Sequence, residues 1–313
     1  MISNFYQIFV SISPVFLLII LGNILRRLNF LELSFWDVSD KLAYWVLIPA
    51  LLFYFISQVS LSSEMLFSYS LILFSGYIIS ITCIFTLGKI LGYTPEIWTS
   101  ILQGGMRQNA FIALAIAGSF FGAEGLKIAS LFTFIYVPSI NIIIIVIMVM
   151  SLNQNNQIGP KKSFVSVFNE IFKNPFIIAM ILGLLFSLLD LEGLSIIFNT
   201  TELLGSAALP LMLLTIGAKI KVRDLKLQIT PILISNTLKL LILPIFVYFF
   251  AKFLGLTKIE TVVAVIFSSV PTATMSYTFA KQFGADDQLM RGILTTQVVL
   301  SFITIPILLA FIA

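Results

Sequence analysis

Arg107, Gln108 and Asn109 stand together in QGGMRQNAF (103–111), inside a run that otherwise reads as hydrocarbon. A guanidinium, two carboxamides and a pair of glycines at such depth suit one kind of chemistry. They offer positive charge and hydrogen-bond donors to an anion where water does not compete. An arginine at the centre of a membrane span costs roughly 2.5–3.5 kcal/mol on insertion scales, and it usually pairs with an acid or lines a cavity. The apolar runs supply no acid, because all fourteen carboxylates, from Glu32 to Asp287, fall near their ends or between them. Lys239, in NTLKLLIL, is a second cation at depth without an acidic neighbour. Two positives with no negative suggest that the missing charge belongs to the solute, a carboxylate above all. Two plainer readings stay open: Lys239 snorkels to an interface, and Arg107 binds carbonyls bared by a helix break.

The elements that must position these groups follow from composition. The 313 residues are 59% hydrophobic and 10% charged, with a mean hydropathy of +1.08. Soluble domains carry about a quarter charged residues, so the expected class is an all-α integral membrane protein. The net charge of +4 is then a matter of loop distribution and not a nucleic-acid footprint. There is no histidine, which removes histidine proton relays and histidine metal sites. The single Cys83 rules out an internal disulfide and reads as a small core hydrophobe. Without histidine or intramembrane carboxylates, the groups that acid–base or nucleophilic catalysis needs are missing, so no enzyme is expected. The N-terminal run, followed and not preceded by Arg26 and Arg27, reads as a first transmembrane helix and not a signal peptide.

A helix needs about 20 apolar residues to cross the bilayer. Ten stretches qualify: 5–25, 38–58, 65–91, 97–120, 126–150, 171–190, 199–219, 229–253, 259–281 and 288–312. The sequence also contains one pattern twice. Pro14 and Gly22 of SPVFLLIILG fall over Pro175 and Gly183 of NPFIIAMILG, and Pro49 falls over Pro210, all at an offset of 161. KILGYT (89–94) matches KFLGLT (252–257) at 163, and FGAE (121–124) matches FGAD (283–286) at 162. The expectation is a first five-helix repeat over 1–152, a cytoplasmic linker over 153–170 with a seam at Gly159-Pro160, and a second repeat over 171–313. An odd number of spans per copy inverts the second copy, which is the plan of many secondary transporters. Thirteen of the eighteen Lys and Arg residues fall on one side of these spans. Three (Lys127, Lys252, Lys258) fall on the other, and Arg107 and Lys239 lie within. The basic side is cytoplasmic, which puts both termini outside the cytoplasmic (inner) membrane.

The repeat gives QGGMRQNAF a partner. Asn109 plus 162 is Pro271, in IFSSVPTATMSYTF (266–279), among Ser268, Ser269, Thr272, Thr274 and Ser276. Pro271 removes a backbone donor, and Gly104-Gly105 supplies a weak point in the first copy. Paired broken helices at one depth point to a transporter's binding site. Kinks that serve only packing are the plainer reading, but they do not call for Arg107 and Asn109.

Three stretches carry a family resemblance: NPFIIAMILGLL with LLGSAALPLMLLTIGAKI (203–220), RQNAF with the small-residue helix after it, and VPTATMSYTFAKQFGADDQLMRGILTTQVVLSFITIPI (270–307). They resemble the auxin efflux carrier family, over the whole chain. The resemblance implies a scaffold of spans 1, 2, 6 and 7, a mobile transport domain of spans 3–5 and 8–10, broken fourth and ninth helices that cross, an elevator-type motion and a homodimer. It places Asn109 at the family's substrate-contacting asparagine. The second-half motif departs, because Met275 stands where many bacterial relatives have asparagine. The long cytoplasmic loop of the plant carriers is absent.

The expected function is therefore a carrier, in the export direction, of a small organic anion. Asn109, Arg107, Gln108, Gly105, Pro271, Thr272, Thr274 and Met275 form its substrate site, and Lys239 has a charge role. No cofactor or bound metal is expected, with Na+ or H+ coupling left open. The expected partners are the anion, membrane lipid and a second copy of the chain, with no nucleic acid. The alternative is a sodium-coupled anion symporter of the bile-acid carrier type, which shares the inverted five-helix plan.

Overall fold

The computed structural model describes residues 2–59, 62–152, 173–189, 195–220 and 228–312; the linker expected over 153–170 lies outside them. Helices make up nearly all of it, and no strand occurs among the described residues. In chain order they are α1 (Ile2–Arg27), α2 (Leu33–Leu42), α3 (Ile48–Ile56), α4 (Ser63–Ile90), α5 (Pro95–Met106), α6 (Ala110–Leu152) and α7 (Pro175–Leu189). Then come α8 (Ser195–Lys219), α9 (Ile229–Thr237), α10 (Leu243–Phe253), α11 (Lys258–Ser269), α12 (Met275–Phe283) and α13 (Asp287–Ile312). Single π-helical turns join α2 to α3 (Ala43–Leu47) and α9 to α10 (Leu238–Ile242). By length and composition, seven described helical stretches are able to cross a bilayer. One of them, Pro95–Leu152, is interrupted at 107–109 and again at Gly122, where φ is 59°. The helices expose large apolar side chains such as Leu17, Ile24, Leu188 and Phe249, a surface that only lipid solvates. The chain is a multi-pass membrane protein.

The matched sequence pairs share local geometry. Gly92 and Gly255 both take positive φ, 65° and 74°, after α4 and α10. In each, the next amide reaches back five residues, Tyr93 N–H to Gly88 O (2.9 Å) and Leu256 N–H to Ala251 O (3.1 Å). This is the left-handed helix ending that glycine allows without a Cβ penalty. A threonine N-cap in extended conformation follows in both, Thr94 for α5 and Thr257 for α11. Each then opens a helix of 12 residues. Gly122 and Gly284, of FGAE and FGAD, also both have positive φ, 59° and 77°.

The described residues divide into two compact units. One lies within Met1–Leu66, Phe111–Phe134 and Ile171–Ile220; the other lies within Phe67–Ala110, Ile135–Glu170 and Lys221–Ala313. In the first unit, α1 packs along α8 at bare backbone. A Cβ added at Gly22 would land on the Leu214 carbonyl, and one at Gly217 on the Ile19 carbonyl. Membrane helices use small residues in this way, because close van der Waals approach replaces the hydrophobic drive. The C-terminal carbonyls of α8 are then capped from α1. Asn23 Nδ2 donates to the oxygens of Gly217 (3.0 Å) and Ile220 (2.9 Å), and Arg26 Nη1 donates to Ala218 O (2.7 Å). Arg26 thus serves a helix end whose partial charge is negative. A crevice of about 420 Å³ in this unit is lined by Pro14, Leu51, Tyr54, Glu202 and Pro210 among others, and holds none of the predicted site residues.

Candidate functional site

All nine predicted site residues fall within the second unit. Two half-helices end there in the same way. α5 stops at Met106 and Arg107 turns extended (φ −70°, ψ 141°); α11 stops at Ser269 and Val270 does likewise (φ −66°, ψ 151°). The breaks then meet, since the Asn109 N–H donates to the Pro271 carbonyl at 2.9 Å. Asn109 and Pro271 are the two residues that the sequence offset aligned.

Every backbone group released by a break in a dry interior must find a partner. The Gln108 N–H donates to the Tyr136 hydroxyl, which in turn donates to the Gln108 carbonyl at 3.1 Å. The second break is tied by Gln297 of α13. Its Oε1 accepts from the Thr272 N–H at 2.9 Å, and its Nε2 donates to the Gly104 carbonyl at 2.9 Å. The Thr272 hydroxyl lies 2.7 Å from both Gly104 O and Gln297 Oε1. One carboxamide, fully buried, therefore holds the end of α5 to the start of the second break.

Gly104 and Gly105 do not form the break. Both lie inside α5, and the helix fails only after Met106. Their bareness serves packing: a Cβ on Gly104 would meet Ser235 Oγ and Ile293 Cγ2, the latter at 2.6 Å. On Gly105 it would come within 2.8 Å of Ile84 Cδ1 and 2.9 Å of Leu238 Cδ2. A side chain on Gly104 would push α5 off α9 and α13, and one on Gly105 would push it off α4 and the π-helical turn.

Arg107 is buried. Its Nη2 donates to Asn141 Oδ1 at 3.1 Å, and its guanidinium stacks over the Phe279 ring, 4.5 Å from the centroid. A cation over an aromatic face together with a side-chain acceptor is an arrangement that suits arginine more than lysine. Gln108, Asn109, Pro271 and Thr272 are buried, Thr274 is half-buried at the N-cap of α12, and Met275 is 48% exposed. Gln108 Oε1 and Ser276 Oγ are buried polar atoms without a partner among the described residues. Lys239 lies in the π-helical turn, fully buried, and its Nζ has no partner there either. The structure therefore does not place it as a snorkelling lysine. Among the described residues no group of three or more His, Cys, Asp or Glu side chains is placed to hold a metal.

Sequence reasoning missed Gln297, Tyr136, Asn141 and Phe279. Gln297 and Asn141 carried a usable signal, being carboxamides within the apolar runs ILTTQVVLSF and SINIIII. Tyr136 and Phe279 carried none, because an aromatic in a membrane span is ordinary. Tyr136→Phe is expected to leave the Gln108 N–H and C=O unserved. At about 1–3 kcal/mol for such a loss, the thermal midpoint in detergent should fall by about 3–10 °C. An unchanged midpoint would mean that another group takes over both bonds.

A profile of the membrane transport protein family matches residues 7–309, nearly the whole chain. The chain belongs to this family, that of the auxin efflux carriers. Membership makes it a transporter. An uncharacterized transporter of Methanothermobacter thermautotrophicus is 22% identical over 303 residues, covering 95% of this chain and 96% of that one.

Proposed function

We propose that the protein is a secondary carrier of a small organic anion, working in the export direction, and that the anion sits where the two breaks cross. The observation that carries this reading is the bond between Asn109 and Pro271. It puts the start of α6 and the approach to α12 at one place, and helix N-termini carry partial positive charge that favours an anion. Arg107 adds a full positive charge beside them. In this reading the Asn109 carboxamide donates to the carboxylate, and Gln108, Thr272, Thr274, Ser276 and the backbone at Gly105, Pro271 and Met275 shape the pocket. Arg107 acts through long-range attraction and holds Asn141 and Phe279 in place.

The shared geometry of the matched pairs supports a wider reading, in which ten spans form two inverted repeats with both termini outside the cytoplasmic membrane. Spans 1, 2, 6 and 7 are the scaffold, the part holding the crossing moves as an elevator, and two copies form a homodimer.

A thermal-shift screen of small mono- and dicarboxylates tests the site. One chemical class should stabilise the wild-type protein, and Arg107→Gln should weaken that response to anions while sparing any response to neutral solutes. Equal loss for both kinds of solute would make Arg107 purely structural.

A further inference from the structure

Glu202 is an acid where an acid is costly. It is the eighth residue of α8, about 10 Å along the axis from the end opposite Lys219. A helix of that length overruns a hydrocarbon core of about 30 Å by little, so the carboxylate stands at the edge of the apolar slab. Acids at such depth pair with a cation or line a cavity. No described lysine or arginine forms an ion pair with Glu202, and it lines the crevice of about 420 Å³ in the first unit.

The crevice has one consistent chemistry. Apolar side chains of α1, α3 and α8, Val15, Leu51 and Leu209 among them, form most of its lining. The remaining wall is the corner of α6 on either side of Gly122, where Ala115 and Gly118 leave room that larger side chains would fill. The polar side chains of the lining are Glu202 and the hydroxyls of Tyr54, Ser119 and Ser206, and no lysine or arginine belongs to it. The Tyr54 phenol interacts with Glu202, but a neutral phenol leaves the charge unbalanced. Pro210 has no N–H to give to the Ser206 carbonyl, one turn past Glu202, so that oxygen lacks its helical donor. Pro14, Glu202, Ser206 and Pro210 are exposed, so the crevice opens outward. In a bilayer such a gap fills with lipid, because an empty one forfeits dispersion contacts and the hydrocarbon holds no water to occupy it.

We propose that the crevice binds one membrane lipid with a primary ammonium head, a phosphatidylethanolamine. Its ammonium sits on Glu202 and the Ser206 carbonyl, and an acyl chain runs along the apolar wall. Charge complementarity selects the head. A primary ammonium brings three donors to a carboxylate, a carbonyl and hydroxyls, whereas a choline head donates none. An anionic glycerol head would meet a like charge with no basic residue in the lining to offset it. The phosphate of phosphatidylethanolamine stays at the rim, in the headgroup zone. Seated there, the lipid packs α1, α3 and α8 against the corner of α6, so its binding reads out as stability. This assignment is independent of what the carrier moves.

The test uses the purified, delipidated full chain in detergent, with added lipids of one acyl composition. Phosphatidylethanolamine should raise the thermal midpoint by about 3 °C or more, and phosphatidylcholine and phosphatidylglycerol by less than about 1 °C. Glycerophosphoethanolamine, the same head without chains, should give no shift. Glu202→Gln, at an exposed position, should fold normally and lose the preference for the ethanolamine head. Glu202→Lys should turn the preference toward phosphatidylglycerol, a reversal that a structural role for the carboxylate would not produce. Equal shifts from the three lipids in the wild type overturn the proposal, as does a preference for phosphatidylethanolamine that survives Glu202→Gln. So does a shift from glycerophosphoethanolamine as large as that from the lipid, which would make the occupant a soluble amine. If no lipid moves the midpoint the proposal also fails, and a change of particle mass in Glu202→Gln would then show that a second copy covers the crevice.

Discussion

Gln297→Leu is expected to abolish transport and to lower the thermal midpoint by about 5–15 °C. The wild-type carboxamide accepts from the Thr272 N–H and donates to the Gly104 carbonyl, both at 2.9 Å. Leucine has nearly the same volume, so no large cavity confuses the result. What remains is the Thr272 N–H unserved in a dry interior at about 1–3 kcal/mol, with the Thr272 hydroxyl left as the one described donor to the Gly104 carbonyl. The break would loosen at the point where α5, α13 and the Pro271 segment are held together. The control lies on the same helix: Val299 is 60% exposed, and Val299→Ala should leave both readings near wild type. A Gln297→Leu protein that transports at the wild-type rate would remove Gln297 from the account.

Gly217→Val is expected to lose most folded protein, seen as a collapse of the monodisperse peak on size exclusion. A Cβ there falls on the Ile19 carbonyl, and one at Gly22 falls on the Leu214 carbonyl. Backbone cannot rotate away as a side chain can, so α1 and α8 must separate along their whole contact. Overpacking typically costs about 1–3 kcal/mol and more where nothing yields. Separation would also pull Asn23 and Arg26 from the carbonyls they cap. Gly255→Ala is the comparison, since nothing lies within 4 Å of a Cβ there and only its φ of 74° is strained. It should cost about 1–2 kcal/mol. Gly217→Val protein as well behaved as Gly255→Ala would mean that the two helices do not need this approach.

What the sequence revealed and what it hid divide by range. Local signals were strong. Pro271 and the polar run 107–109 marked breaks because lipid tolerates no free backbone groups, and the KILGYT and KFLGLT pair marked matching helix ends. The offset between copies even named the two residues that the fold bonds together. Long-range satisfaction was not legible: nothing near Thr272 in the chain says that residue 297 will accept its N–H. Gly104-Gly105 misled for a physical reason, since glycine marks both weak points and close contacts, and here it marks a contact. Lys239 was ambiguous because a lysine's depth depends on how its helix is covered. A π-turn leaves no distinct apolar period, so its extra residue could not be read either.

The central claim is that the crossed breaks bind the transported anion, and Asn109 tests it most directly. Purified wild-type protein and Asn109→Ala, both in liposomes, should be compared for uptake of the carboxylate that best stabilises the wild type. The account predicts apparent affinity at least about 10-fold weaker in Asn109→Ala, in line with one lost hydrogen bond to a charged group, with the thermal midpoint of the empty protein little changed. Uptake by Asn109→Ala equal to wild type in rate and affinity would contradict it, and would move the substrate site away from the crossing.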